Sequence, residues 1–463
     1  MATAATERLR SYLEAFHALG VDVARQPAWL RALRERGFAR FCEAGFPTTR
    51  NEDWRFTNVN AIAQTPFQRA RDVRRSGAIY SDTLEACRIP EAACQLVFLN
   101  GRFAAELSDL GNLPEGLRAG SLAQAIEHDG TSLEAHLGRY LNIDRDAFCA
   151  LNTAFIDDGA YVYLPRRTVL EAPICLLYIS IPGGDPEMTN PRNLIVAEDA
   201  TEASIVEDYV SLGSGVSFSN AVTELVAGEN AVISHYLLER EDRQAFNVST
   251  LRTQQARSTN VSSHSVLLGG GLVRNNVHPV LAGEGGECLI NGLFIGNGNQ
   301  HIDNYMLVEH ASPHCSSRQF YNGILDGHSH GVFHGRIIVH KDAQKTDAKQ
   351  TNRNLLLSDD AQIDTKPQLE IYADDVKCTH GATIGQVEEN ALFYLRSRGI
   401  DEASARGLLL LAFANECLDR MKCRPVREYL QDLVPGWLPG ISTPAAGEAA
   451  PAAEVARRWE EVG

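Results

Sequence analysis

The residues best suited to chemistry in this chain are a thiol and an imidazole two positions apart. Cys378 and His380 lie in the stretch Asp374-Asp375-Val376-Lys377-Cys378-Thr379-His380-Gly381-Ala382-Thr383-Ile384-Gly385. In extended backbone successive side chains point to opposite faces, so these two share a face with Cα atoms roughly 6.5 Å apart. One ligand could touch both. A thiolate beside a neutral imidazole suits zinc, copper or an iron–sulfur cluster, whereas magnesium and calcium prefer oxygen. Two donors are an incomplete set, however. A buried thiol and a hydrogen-bonded histidine at a strand end meet the same spacing, so spacing alone leaves both readings open.

Histidine is unevenly spread, with eleven of fourteen between His235 and His380. The densest part holds His301, His310, His314, His328, His330, His334 and His340. His328, His330 and His334 fall on one strand parity, which makes a metal site conceivable. The run does not have zinc-ligand spacing, and imidazoles that stack between coils or face a partner explain it equally. Gly269-Gly270-Gly271 and Gly283-Glu284-Gly285-Gly286 neither continue into a phosphate-loop Lys nor open a helix, so they read as tight turns. There is no GxSxG elbow, no Walker motif and no assignable pair of catalytic carboxylates. Asp199, Glu229, Asp326, Asp342 and Asp360 sit in turns, where solvated turn-making is the ordinary role. Any dependence on ATP would have to come through a partner.

The 463 residues carry a formal charge of −16. That balance argues against general nucleic-acid binding, which needs clustered Lys and Arg. At 44% hydrophobic and 22% charged the composition is that of a soluble globular chain of two or three structural units. No window reaches the roughly 18 apolar residues of a membrane span, and Met1-Ala2-Thr3-Ala4-Ala5-Thr6-Glu7-Arg8 lacks a signal peptide's apolar core. The expected location is the cytoplasm. Ten cysteines are scattered without a CxxC pair, a reduced-thiol pattern and not a disulfide framework.

The elements that must position Cys378 and His380 follow from periodicity. Leu9, Tyr12, Leu13, Phe16 and Leu19, then Leu30, Leu33, Phe38 and Phe41, recur at helical steps and predict two helices ended by Phe46-Pro47. Trp54 reads as a packing anchor. A strand is expected at Gln95 to Leu99 with a turn at Asn100-Gly101, and helices around Leu122 to Ile126 and Leu133 to Leu141. From Ala160 to His380 short apolar runs alternate with small acidic turns such as Ala197-Glu198-Asp199-Ala200 and Ala227-Gly228-Glu229-Asn230-Ala231. This is a long all-β region. After Gly385 the pattern turns helical: Glu388 to Arg398 runs acidic to basic before Gly399, Asp401 is placed to cap the next helix, and Val426 to Leu433 follows Pro425. Leu408, Leu409, Leu411 and Ala412 belong to a broad apolar surface on the middle helix.

So many strands in one unit fit a sandwich, a barrel or a parallel β-solenoid, and length favours the solenoid without deciding it. Three blocks carry a resemblance that does. Val376 to Gly385, continued by Leu392-Phe393-Tyr394-Leu395-Arg396-Ser397-Arg398-Gly399-Ile400, resembles the C-terminal signature of the SufD branch of the SufB/SufD family, which serves the SUF iron–sulfur cluster assembly system. Lys345 to Ser358 is similar to a run common to both branches, and Asn51-Glu52-Asp53-Trp54-Arg55-Phe56-Thr57-Asn58 resembles the family's N-terminal block. The SufB branch carries Glu-His-Glu-Ala-Thr where this chain has Cys378-Thr379-His380-Gly381-Ala382-Thr383, which favours SufD.

The resemblance implies a mainly β fold, a right-handed parallel β-helix flanked by N-terminal and C-terminal α-helical domains. The division expected is an N-terminal helical or mixed domain over 1–150, the β-helix over 151–385, a C-terminal helical domain over 386–437 and a flexible tail over 438–463. It further implies a non-enzymatic assembly component that pairs with SufB through the end of the β-helix and binds the ATPase SufC through C-terminal helices within 388–433. Two copies could pair when the chain is isolated, and no nucleic acid or membrane is involved. His380 becomes the candidate ligand for iron or a nascent cluster, with Cys378 its neighbour. The cofactor is then a transient Fe–S cluster or iron at the SufB interface, with no permanent cofactor in this chain and a contribution to iron acquisition. Two alternatives are a SufB-type scaffold and a β-solenoid enzyme acting on an acidic polysaccharide.

Overall fold

A computed structural model describes residues 10, 12–19, 26–73 and 81–439. Residues 440–463, most of the expected tail, and Leu9 of the first expected helix lie outside the described residues. The centre of the molecule is a β-solenoid of about eight turns. Sheet one runs, from its open end inward, through Gln362–Ile371, His330–Val339, His301–His310, Leu272–Leu281, Phe246–Gln255, Ser217–Ala227, Arg192–Ala197 and Ala160–Leu164. Sheet two runs through Lys377–Gly385, Asp347–Leu356, Ser316–Leu325, Glu287–Gly296, Asn260–Leu267, Val232–Arg240, Glu202–Ser211, Ile174–Ser180 and Cys94–Leu99. These neighbours pair in parallel, so the architecture is the expected parallel β-helix. Cys94–Leu99 already belongs to the stack, in register with Ile174–Ser180. One coil takes 26 residues from Phe246 to Leu272, and another takes 32 from His330 to Gln362.

Alternation along each strand gives one luminal and one outer face. The lumen is filled by apolar side chains from both sheets, among them Ile233, Ile290, Phe294, Tyr321, Val277, Met306, Phe333 and Ile337. The Asp326 and Asp360 turns lie where sheet two passes to sheet one, and the acidic turns at Asp199, Glu229 and Asp342 form the opposite corner of each coil. Arg167, Ala200, Asn230, Ser258, Gly285, His314 and Lys345 there have φ between 55° and 71°. Each donates its N–H to a carbonyl in the next coil, on Asp199, Glu229, Arg257, Glu284, Pro313, Gln344 and Asp375 in turn. The ladder offsets the cost of left-handed backbone at residues that are mostly not glycine.

The outer faces are covered. Helices Glu402–Leu418 and Arg424–Leu433 lay Leu410, Phe413, Ala414, Val426 and Leu430 on Tyr236, Leu238, Val266, Leu293, Ile295 and Ile324 of sheet two. Phe148 of helix Ala147–Ala154, together with Phe41 of helix Ala28–Ala44, packs over Phe218, Val222, Val248 and Leu272 of sheet one. Residues 12–18 are helical too. Three buried ion pairs lie on these outer faces: Arg192 with Glu224 at 2.6 Å and Arg274 with Asp303 on sheet one, and Arg240 with Asp208 at 2.6 Å on sheet two. One expectation fails here. The second helix expected at Leu133 to Leu141 gives way to turns after Glu134, because the N–H groups of Gly138 and Tyr140 are spent on the buried Glu224 carboxylate at 2.7 and 3.3 Å. Helix propensity loses there to satisfying a buried charge.

The C-terminal helices otherwise form as read: Glu389–Ser397 with Gly399 at φ 89°, and Glu402–Leu418 capped by Asp401 accepting from the Ser404 N–H at 3.0 Å.

Candidate functional site

Among the described residues the solenoid ends on two strands whose outer edges meet no further strand. Among the described residues Gln362–Ile371 pairs only with His330–Val339, and Lys377–Gly385 runs beside Asp347–Leu356 at the end of sheet two. Apart from the half-buried Cys378, every residue of Lys377–Gly385 is exposed. Ile371, Tyr372 and Ile384 add apolar side chains 41%, 62% and 52% exposed. An open strand edge flanked by exposed apolar groups is a template for further pairing.

The parallel register decides which way Cys378 and His380 face. Cys288, Ser317, Ala348 and Cys378 form one luminal column, and Ile290, Gln319, Gln350 and His380 form the next. Both candidates therefore share a face, as strand alternation required, and the register makes it the luminal side of the last coil, at its mouth. Cys378 sits over the buried Ala348, and burial pushes its thiol up. The Ala348 N–H opposes that shift and the nearby Asp347 adds to it. A thiol so placed is slower to become the thiolate that binds metal. Among the described residues no three His, Cys, Asp or Glu side chains converge as a metal site. The mouth thus supplies an exposed imidazole and a thiol but not a closed ligand set.

The histidine run separates into different roles. His330 and His334 sit on the outer face of sheet one, their Nε2 atoms 2.8 Å from Asp364 and 2.7 Å from Gln368 in the next coil. His301 packs edge-on against His330 at 4.8 Å, and His328 lies in the turn before the strand. His310 is luminal, held by Ser317 at 2.8 Å. The contacts of His301, His330 and His334 join neighbouring coils and that of His310 closes a corner of its own coil, so hydrogen bonding and ring packing account for them without a metal.

The block Asn51 to Asn58 reaches this same end from the outside. Arg274 lies over Trp54, Thr57 bonds both His301 at 2.9 Å and Asp303, and Glu52 accepts from Lys366 of the last sheet-one strand at 3.0 Å. Trp54 is the packing anchor expected, 5.1 Å from Phe148.

Sequence reading missed Gln319 and Gln350, which stack directly beneath His380. Gln350 donates to Gln319 at 2.8 Å, and its amide crosses the lumen so closely that a Cβ on Gly335 would meet it at 1.7 Å. A recurrence of about thirty residues linking Gln319, Gln350 and His380 was the available signal. All ten cysteines are free thiols.

Comparison with known proteins completes the description. Residues 180–413 match the family model for the SUF system FeS cluster assembly SufBD core domain, and residues 7–176 match that of the SufBD protein N-terminal region. The chain is 35% identical over 397 residues to an iron–sulfur cluster assembly SufBD family protein of Synechocystis, covering 84% of this chain and 86% of that one. It is 30% identical over 398 residues to the iron–sulfur cluster assembly protein SufD of Escherichia coli, covering 86% and 90%. To SufD of Bacillus subtilis it is 23% identical over 435 residues, covering 92% and 97%.

Proposed function

The chain belongs to the SufBD family of the SUF iron–sulfur cluster assembly system, as a SufD-type protein, and from that premise we propose a specific part for it: a non-enzymatic half of a scaffold whose other half is SufB. The observation that carries this reading is the open solenoid end, where among the described residues two strands keep a free edge and His380 stands exposed at the luminal mouth. SufB covers that end by continuing both sheets, which removes the exposed edges. His380 then lies at the junction of two proteins.

The iron or nascent cluster is the complex's cargo. A neutral imidazole presents a lone pair to iron, and thiolates from SufB supply the ligands that this chain lacks. Cys378 is the neighbour whose protonated thiol makes it the lesser ligand. This chain contributes to iron acquisition by offering a nitrogen donor where the partner offers sulfur. Mechanical work enters through the ATPase SufC. It docks on the C-terminal helices, where Phe393, Tyr394 and Leu408 are 75%, 57% and 49% exposed. Among the described residues no helix is long and apolar enough to cross a membrane, and we place the complex in the cytoplasm. Isolated from SufB, two copies of this chain cover each other's open ends.

The polysaccharide reading loses support from the covered outer faces of both sheets, where a polymer groove would have to run. The test is to purify the tagged chain from its own host and measure co-purifying subunits, iron and acid-labile sulfide. Recovery with SufB-like and ATPase subunits is expected. Recovery as a single species with pectin-cleaving activity would overturn the reading.

A further inference from the structure

We infer that Gln350 is a positioning residue for His380, its amide oxygen accepting one imidazole N–H and so leaving the other ring nitrogen bare. The inference rests on the proposed role of His380 and deepens it. Gln350 and His380 are register partners on adjacent parallel strands, their side chains on the same luminal face. Strands in a sheet lie about 4.8 Å apart, so a four-atom amide arm spans the gap to a ring directly above it.

The orientation of that arm is set from below. Gln350 Nε2 donates to Gln319 Oε1 at 2.8 Å, which commits the nitrogen and turns the oxygen away from Gln319. Gln350 is 1% exposed, and among the described residues its Oε1 is buried without a hydrogen-bond partner, as is the Nε2 of Gln319 beneath it. A buried acceptor without a partner is open to a donor that reaches it. Gly335 on the opposite sheet clears the space the amide occupies, since any side chain there would overlap Nε2. By contrast, the next two luminal amides of the strand, Asn352 and Asn354, bond each other at 2.6 Å.

His380 is exposed, so its ring is free to turn about its side-chain bonds toward its register partner Gln350. A histidine that donates one N–H is fixed in tautomer, and the hydrogen bond raises the basicity of the free nitrogen, the arrangement that metal-binding histidines need. Gln350 touches no cargo itself. It acts through the ring.

The experiment uses the full chain labelled with nitrogen-15 in the histidine ring, His380 being assigned by its loss in His380→Ala. At pH 8 the parent chain is expected to show one dominant His380 tautomer. Gln350→Met, of similar length but without an acceptor, should give a mixture of the two tautomers, and Gln350→Glu, which keeps an acceptor oxygen, should restore one. Circular dichroism and the thermal midpoint of each variant control for folding. A tautomer mixture in the parent chain, or the same single tautomer in Gln350→Met, overturns the inference. The ring spectrum needs no bound cluster, so normal cluster yield with His380→Ala would remove the ligand role while the dependence of the tautomer on Gln350 still stood or fell by itself.

Discussion

The guanidinium of Arg274 lies 3.7 Å from the centre of the Trp54 ring, joining a short N-terminal block to a strand more than two hundred residues away. On its other side Arg274 meets Tyr305 at 4.9 Å and is paired with the buried Asp303. The N-terminal unit is thereby fastened to the coils that carry the open end.

That relationship fixes the cost of breaking it. Asp303→Ala leaves Arg274 charged and unpaired in a buried site, and is expected to destabilise by about 3–5 kcal/mol. Trp54→Ala removes the ring but keeps the ion pair, and should cost less, about 2–3 kcal/mol. Urea unfolding of both variants checks the order. An Asp303→Ala protein as stable as the parent would show that the ion pair does not hold the block.

Acid sensitivity has a specific source in His310. Burial lowers its pKa to about 4, below the value near 6.5 of an unfolded chain. The unfolded state therefore takes up a proton first as pH falls. The contribution of neutral His310 to stability is complete above about pH 6.5 and is lost as pH drops toward 4, at about 1.4 kcal/mol per pH unit. His310→Gln should flatten the stability profile in that window by this slope. Buried Glu239 and Glu241, whose pKa values burial raises, act with the opposite sign there and are common to both proteins. Parallel profiles for parent and variant would refute the assignment.

The proposed ATPase contact can be tested without dismantling the fold. Deleting the C-terminal helices would strip the apolar cover from sheet two, so point changes on exposed side chains are the better probe. Phe393→Asp with Leu408→Asp should reduce SufC binding at least tenfold while unfolding stays within about 0.5 kcal/mol of the parent, the usual range for surface substitutions. Undiminished binding would place the contact elsewhere.

Much of this architecture was legible in the chain. The change from helical to strand patterns near Ala160, the return to helix after Gly385 and the cap at Asp401 are local signals, and local physics sets them. Strand alternation sufficed to put Cys378 and His380 on one face. It could not say that this face lines the lumen, because that depends on pairing with a strand thirty residues earlier. Gln350 escaped notice for the same reason. On the middle C-terminal helix Leu408 and Ala412 are exposed and Leu409 and Leu411 partly covered, while Leu410 is buried. An apolar run of that length does not reveal which side meets the sheet. The helix expected at Leu133 to Leu141 was lost to Glu224, a residue too distant in sequence to enter a periodicity.

The measurement that tests the central claim most directly is bound iron and acid-labile sulfide in the complex reconstituted from this chain, SufB and SufC. His380→Ala is predicted to leave folding and assembly intact and to lower both iron and sulfide several-fold, with Cys378→Ala lowering them less because its thiol is held protonated by burial. Normal iron and sulfide in the fully assembled His380→Ala complex would contradict the account and return His380 to the role of a strand-end histidine.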